Sequence, residues 1–225
     1  MYGGVLVKAW RIGAIAVILV GLSGCEGETS GGGGTPQPSL VERLSVAQIG
    51  GQQAEFAEGE APEADELDLS TDPSECLALV FPTLMLAGAD LAEARLEGQG
   101  AGATVVVSAA RLDSGGGPAV LEDLDGRVEP CSGSFHVDVS DDALQQDEGR
   151  EGPALADATL MWEDVTPDRR EWRVSADEGD RPHTDYVAAV DDSSVVIVMS
   201  SPEESGEGPD LSAVADDVLT AMRDG

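Results

Sequence analysis

Tyr186-Val187-Ala188-Ala189-Val190-Asp191-Asp192-Ser193-Ser194-Val195-Val196-Ile197-Val198-Met199-Ser200 decides the fold. Two apolar runs flank a short polar break at Asp191-Asp192-Ser193, which predicts an antiparallel hairpin. The second run, Val195 to Met199, has no polar face. A run of that kind suits a central strand covered on both sides.

Further strands are predicted on the N-terminal side of this hairpin. Ala156 to Val165 and Glu171 to Ala176 read as strands. Ser134 to Val139 alternates Phe135, Val137 and Val139 against His136 and Asp138, the pattern of a half-buried strand. Thr104 to Leu112 is rich in β-branched residues and reads the same way. On the C-terminal side, the acidic loop Ser201 to Gly208 leads to Asp210 as an N-cap. The closing helix presents Leu211, Val214, Val218, Leu219 and Met222 on one face.

Helices come earlier in the chain. Leu40 to Ile49 has loose helical spacing and is stopped by Gly50-Gly51. Glu55 to Asp68 is mostly acidic and reads as an exposed loop. Asp72-Pro73-Ser74-Glu75 reads as a helix start, with Asp72 as N-cap and Pro73 in the first turn. Gly115-Gly116-Gly117 breaks the chain before a helix from Pro118 that carries Val120, Leu121, Leu124 and Val128 and ends near Pro130-Cys131; Gly126 weakens it. Asp141 to Gly152 is polar, a loop or short helix. Helices, then mostly sequential strands, then a closing helix give an α+β class. The expected architecture is an antiparallel sheet of about five to six strands with helices packed against it.

The N-terminus has the three parts of a secretory signal. Lys8 and Arg11 are positive, Ile12 to Leu22 is apolar or small, and Leu22-Ser23-Gly24-Cys25 closes with small residues before a cysteine. The last four resemble the bacterial lipobox. That resemblance implies removal of residues 1–24 and acylation of Cys25 with palmitate-type chains, and a stable anchor needs more than one chain. The alternative is a transmembrane anchor, but the run falls short of the ~20 residues that cross a bilayer. Residues 25–39 read as a Gly- and Pro-rich tether spanning about 20 Å. Residues 40–225 read as one extracytoplasmic domain.

The formal charge is −32 over 225 residues, with Lys8 the only lysine. A surface so negative repels phosphate backbones, which excludes nucleic acid as a partner. It also repels anionic headgroups, so the body stands off the membrane that holds it through the lipid on Cys25.

Two cysteines remain, Cys76 and Cys131. On an exported body they are read as a disulfide. A metal site is the alternative, but two isolated thiols have neither a CxxC nor clustered histidines around them.

Asp72-Pro73-Ser74-Glu75-Cys76, a valine-rich strand, Val128-Glu129-Pro130-Cys131, a Val-Val-Ile-Val strand and an amphipathic last helix stand in that order. This layout resembles the PknH-like extracellular sensor-domain family of actinobacterial lipoproteins and receptor kinases. The resemblance implies a disulfide between the two helices, a helix-decorated antiparallel sheet and a cleft for a ligand. The chain departs from the pattern in two ways: it offers one disulfide where some relatives have two, and it has no kinase part. Cleft residues therefore cannot be carried over individually.

Catalytic signals are thin. His136 lies on the polar side of a strand and His183 in a loop, and neither stands in a metal motif. No G-x-S-x-G elbow, P-loop or G-x-G-x-x-G occurs in a suitable setting. Asp123-Leu124-Asp125-Gly126 has part of a calcium-loop pattern but lacks its other ligands. Trp162 and Trp172 sit on predicted strands and read as core, with a ligand groove as the alternative. The reading is a non-enzymatic, lipid-anchored binding or sensing protein with no cofactor. Its expected partner is a small hydrophobic ligand or an envelope protein. Alternatives are a surface hydrolase and a structural partner of an envelope complex.

Overall fold

The computed structural model describes residues 38–64, 67, 69–97, 103–139, 155–176, 183–201 and 209–224. The signal region, Cys25, most of the tether and the predicted polar stretches 141–152 and 202–208 lie outside these residues. Gln37–Gly225 form one compact unit.

In chain order the elements are α1 (Leu40–Leu44), β1 (Gln48–Ile49), β2 (Gln52–Gln53), β3 (Ala57–Gly59), β4 (Leu69–Asp72), α2 (Leu77–Val80), β5 (Asp90–Leu96), β6 (Thr104–Arg111), α3 (Gly116–Cys131), β7 (Ser134–Val139), β8 (Leu155–Thr166), β9 (Arg169–Ala176), β10 (His183–Val190), β11 (Ser194–Ser201) and α4 (Leu211–Asp224). Short 3-10 turns at Ser74–Cys76 and Pro82–Leu86 flank α2. β1 and β2 form a small hairpin, and the other nine strands form one antiparallel sheet in the order β3-β5-β6-β11-β10-β9-β8-β7-β4.

The predicted hairpin is present, with Val190 opposite Val195 and Tyr186 opposite Met199. β11 lies between β10 and β6 and is covered on both faces. Val196 and Val198 look toward α1 and α4, in a core with Leu40, Leu44, Val214, Val218 and Leu219. Val195 and Ile197 look the other way, into a core with Cys76, Leu79, Leu121, Leu124 and Trp172. The α+β class holds, and the sheet is larger than the six strands predicted.

The extra strands explain themselves locally. β5 reads Asp-Leu-Ala-Glu-Ala-Arg-Leu, a composition that favours helix. Its register with β6 places Ala92, Ala94 and Leu96 in one core and Leu91 in the other, so tertiary burial overrides propensity. β3 falls inside the predicted acidic loop, where Phe56 is buried and Ala57 to Gly59 pair with β5.

Two helix boundaries also differ from the sequence reading. α1 stops at Leu44, and Gly50 and Gly51, both at positive φ, turn the β1–β2 hairpin instead of ending a helix. Its start carries a capping box between Ser39 and Glu42. Asp72 does not cap a helix; it closes β4 opposite His136. The Asp72–Pro73 peptide bond is cis, and Pro73 is the extended residue before the Ser74–Cys76 turn. Asp210 does cap α4, accepting from the Ala213 N–H at 3.0 Å.

Cys76 and Cys131 are bonded, with Cα atoms 5.5 Å apart. The bond ties the turn before α2 to the last residue of α3, on the face that carries Trp172.

Candidate functional site

Alternation along the strands sorts the side chains of β8 to β11 into two sets. Trp162, Trp172 and Tyr186 point to the disulfide side. Trp172 is 3% exposed and Tyr186 4%, and their rings stack at 5.0 Å between centroids. Trp162 leans on Trp172 at 5.5 Å. The indole N–H of Trp172 donates to the Leu79 carbonyl at 2.8 Å, and the Tyr186 hydroxyl donates to the Val80 carbonyl at 3.0 Å. Burial raises the pKa of the Tyr186 phenol far above its usual value, so it stays a donor. These aromatic residues hold α2 on the sheet. Trp172 serves the core, as the sequence reading had it.

The other face carries a groove of about 550 Å³, walled by Pro209 to Ser212 at the start of α4. Its floor is two cross-strand rows. The first runs Met161, Arg173, Asp185, Ser200 across β8, β9, β10 and β11. The second runs Glu163, Glu171, Val187 across β8, β9 and β10. α4 covers the rows beyond, so the floor is left open where the helix begins.

Polar groups in the groove are partly committed. Arg173 Nε meets Asp185 Oδ1 at 2.5 Å, and the other Asp185 oxygen meets His183 at 3.2 Å. The Ser212 hydroxyl donates to Glu171 at 2.5 Å. Ser200 is 2% exposed, and among the described residues its Oγ finds no hydrogen-bond partner. An unpaired buried hydroxyl is uncommon, because water has been removed without a replacement. Met161, on the groove rim, is 60% exposed.

The remaining candidates from the sequence are placed as follows. His136 pairs with Asp157 at 2.5 Å across β7 and β8, on an exposed site. His183 is the first residue of β10 and not part of a loop. Asp123 is held by Arg127 at 2.9 Å and Asp125 by Arg170 at 2.7 Å, so both carboxylates of the partial calcium pattern face guanidinium groups. No group of three or more metal-ligating side chains occurs among the described residues. Nor is any described helix long and apolar enough to cross a membrane. The sequence offered a cleft through its family resemblance and a groove at Trp162 and Trp172 as an alternative, and both tryptophans do border this groove, but its charged and hydroxyl residues were not singled out. Their signal was the alternate positions of four strands, and the strand register was needed to read it.

No family model matches the chain, and no curated protein matches it. Solved structures do. The extracellular domain of PknH from Mycobacterium tuberculosis superposes with a TM-score of 0.58 at 11% identity, covering 84% of this chain and 99% of that one. The chain has the fold of that domain. An uncharacterised protein from Mycobacterium smegmatis, the Rv0999 ortholog, gives a TM-score of 0.36 at 12% identity, over 76% of this chain and 85% of that one. The layout noted in the sequence thus corresponds to a shared fold, although few residues are shared.

Proposed function

We propose that the chain is an extracytoplasmic binding or sensing domain, held at the outer membrane face by lipid on Cys25, with the groove at the start of α4 as its ligand site. The fold likeness to an extracellular domain over nearly all of that domain carries the reading. The groove supports it with a few apolar residues, Met161, Val187 and Leu211, and a buried hydroxyl, Ser200, that has no partner among the described residues. Ligand sites combine apolar lining with a few placed polar groups in this way. The lipobox and the Cys76–Cys131 bond both suit an oxidising exterior.

Two measurements test the reading. Cys25→Ala should release the chain from the detergent phase to the aqueous phase without changing its melting temperature. Continued partition into detergent would remove the anchor. For the site, native chain purified from membranes should retain a small molecule detectable by mass spectrometry. Glu163→Trp, an exposed substitution at the groove mouth, should lose it. Retention unchanged in that variant would place the ligand elsewhere.

A further inference from the structure

Glu163 and Glu171 lie directly opposite each other on β8 and β9, both on the groove face. Like charges directly opposite across two strands destabilise a sheet. Ser212 donates to Glu171, whereas Glu163 stays exposed and has no hydrogen bond or ion pair among the described residues. The two arginines that flank Glu171 on its own face of β9 are both taken, Arg173 by Asp185 and Arg169 by Asp216 of α4. The pair therefore presents negative charge that this part of the groove does not neutralise.

The second feature lies at the far end. Ser200 is on β11, two strands from Glu171 and one row along, and its buried Oγ is unpartnered. Strand spacing and rise put the two backbone positions about 12 Å apart. Val187 is the floor residue between them, and Leu211 stands in the wall above. The groove thus runs from a carboxylate pair, over Val187 and alongside the Arg173–Asp185 ion pair, to a buried hydroxyl.

Resting on the groove reading above, we infer that the ligand class is an elongated organic cation. An ammonium group sits between Glu163 and Glu171, an aliphatic stretch lies on Val187 against Leu211, and a polar far end meets Ser200. The ammonium removes the like-charge repulsion. The far end supplies the hydrogen bond that Ser200 lacks. The start of α4 does not reverse this preference for a cation, because Asp210 already caps it.

Three probes of one chain length separate the parts: 6-amino-1-hexanol, 1-hexylamine and 6-hydroxyhexanoate, each titrated calorimetrically into the full chain at fixed ionic strength. The amino alcohol should bind tightest, the amine more weakly, and the carboxylate not at all. Glu163→Gln should weaken both amines about tenfold. Ser200→Ala should remove the advantage of the amino alcohol over the amine, a factor of about five. The same variant should melt no lower than the native chain, since it removes an unpaired buried hydroxyl. Equal or tighter binding of 6-hydroxyhexanoate would overturn the cation and leave the groove standing. Amine binding unchanged in both variants would also overturn it, as attraction to the acidic surface at large. Binding of none of the three would overturn the groove reading as well.

Discussion

Trp172 and Tyr186 stack across β9 and β10 with ring planes 4° apart, and each ends in a hydrogen bond to one of two consecutive carbonyls, Leu79 and Val80. Those carbonyls belong to α2, which starts immediately after Cys76. The stack, the helix, the disulfide and the end of α3 therefore form one continuous support beneath the strands whose opposite face is the groove.

Trp172→Phe and Tyr186→Phe keep a ring in the stack and remove the donor. Each leaves a buried carbonyl unpaired, at about 1–3 kcal/mol. The measurement is urea unfolding of the two variants and the double variant. Because both donors hold the same short helix, the double variant should lose less than the sum of the singles. Full additivity would mean that α2 is held by its packing and not by these bonds.

Breaking the disulfide with Cys76→Ala/Cys131→Ala removes a cross-link over a sequence separation of 55. Chain entropy alone predicts a loss of about 4 kcal/mol. A thiol count on denatured, unreduced residues 40–225 should find neither residue free, and the paired alanine variant should unfold at lower denaturant. Two titratable thiols would contradict the bond.

Much of the architecture was legible in the sequence because hydrophobic period and turn chemistry agree there. The β10–β11 hairpin, the two-faced β11, α3 and the apolar face of α4 all follow from local pattern. β5 was not legible: its Ala, Glu, Arg and Leu suit a helix, and only pairing with β6 makes it a strand. β3 and the β1–β2 hairpin are two or three residues long, too short for periodicity to show. The residues of the groove were hidden for another reason. Met161, Glu163, Glu171, Arg173, Asp185 and Ser200 are spread over four strands, and register alone gathers them. The Cys76–Cys131 bond, in contrast, followed from counting the thiols left once Cys25 was read as part of a secretory signal.

The glycine run before α3 has separate jobs at neighbouring positions. Gly115 takes φ 81°, which non-glycine residues rarely adopt. Gly117 touches the β10–β11 turn so closely that a Cβ there would lie 1.9 Å from the Asp191 carbonyl oxygen. Gly117→Ala must displace α3 or the hairpin, and about 3 kcal/mol of destabilisation is expected. Gly126, inside the same helix, has open space around its Cβ position. Gly126→Ala should stabilise by about 0.5–1 kcal/mol through helix propensity. Thermal or urea unfolding of both variants checks the contrast; equal effects would mean that the approach of helix to turn is not tight.

The same turn sets an acid response. Burial alone would raise the pKa of Asp191, but the Ser193 N–H, Ser194 and Arg223 donate to its carboxylate and hold it below the usual carboxylate range. The Ser193 N–H reaches Oδ1 at 3.0 Å and Arg223 Nε reaches Oδ2 at 3.3 Å, so the charged carboxylate joins the turn to the end of α4. Asp168 is lowered in the same direction, by the Thr166 hydroxyl above all. A folded pKa below the unfolded value means that the unfolded chain binds the proton first. The stabilisation is therefore fully present above the unfolded value of about 3.9 and is lost as pH falls through the lower folded value. Asp191→Asn keeps the shape and removes the charge. Its urea midpoint should lie below that of the native chain by a constant gap from pH 7 to pH 5. The gap should then narrow as the pH drops below about 4. A gap that stays constant down to pH 3 would mean that the Asp191 charge contributes nothing, and that its effect comes from the shape of the turn alone.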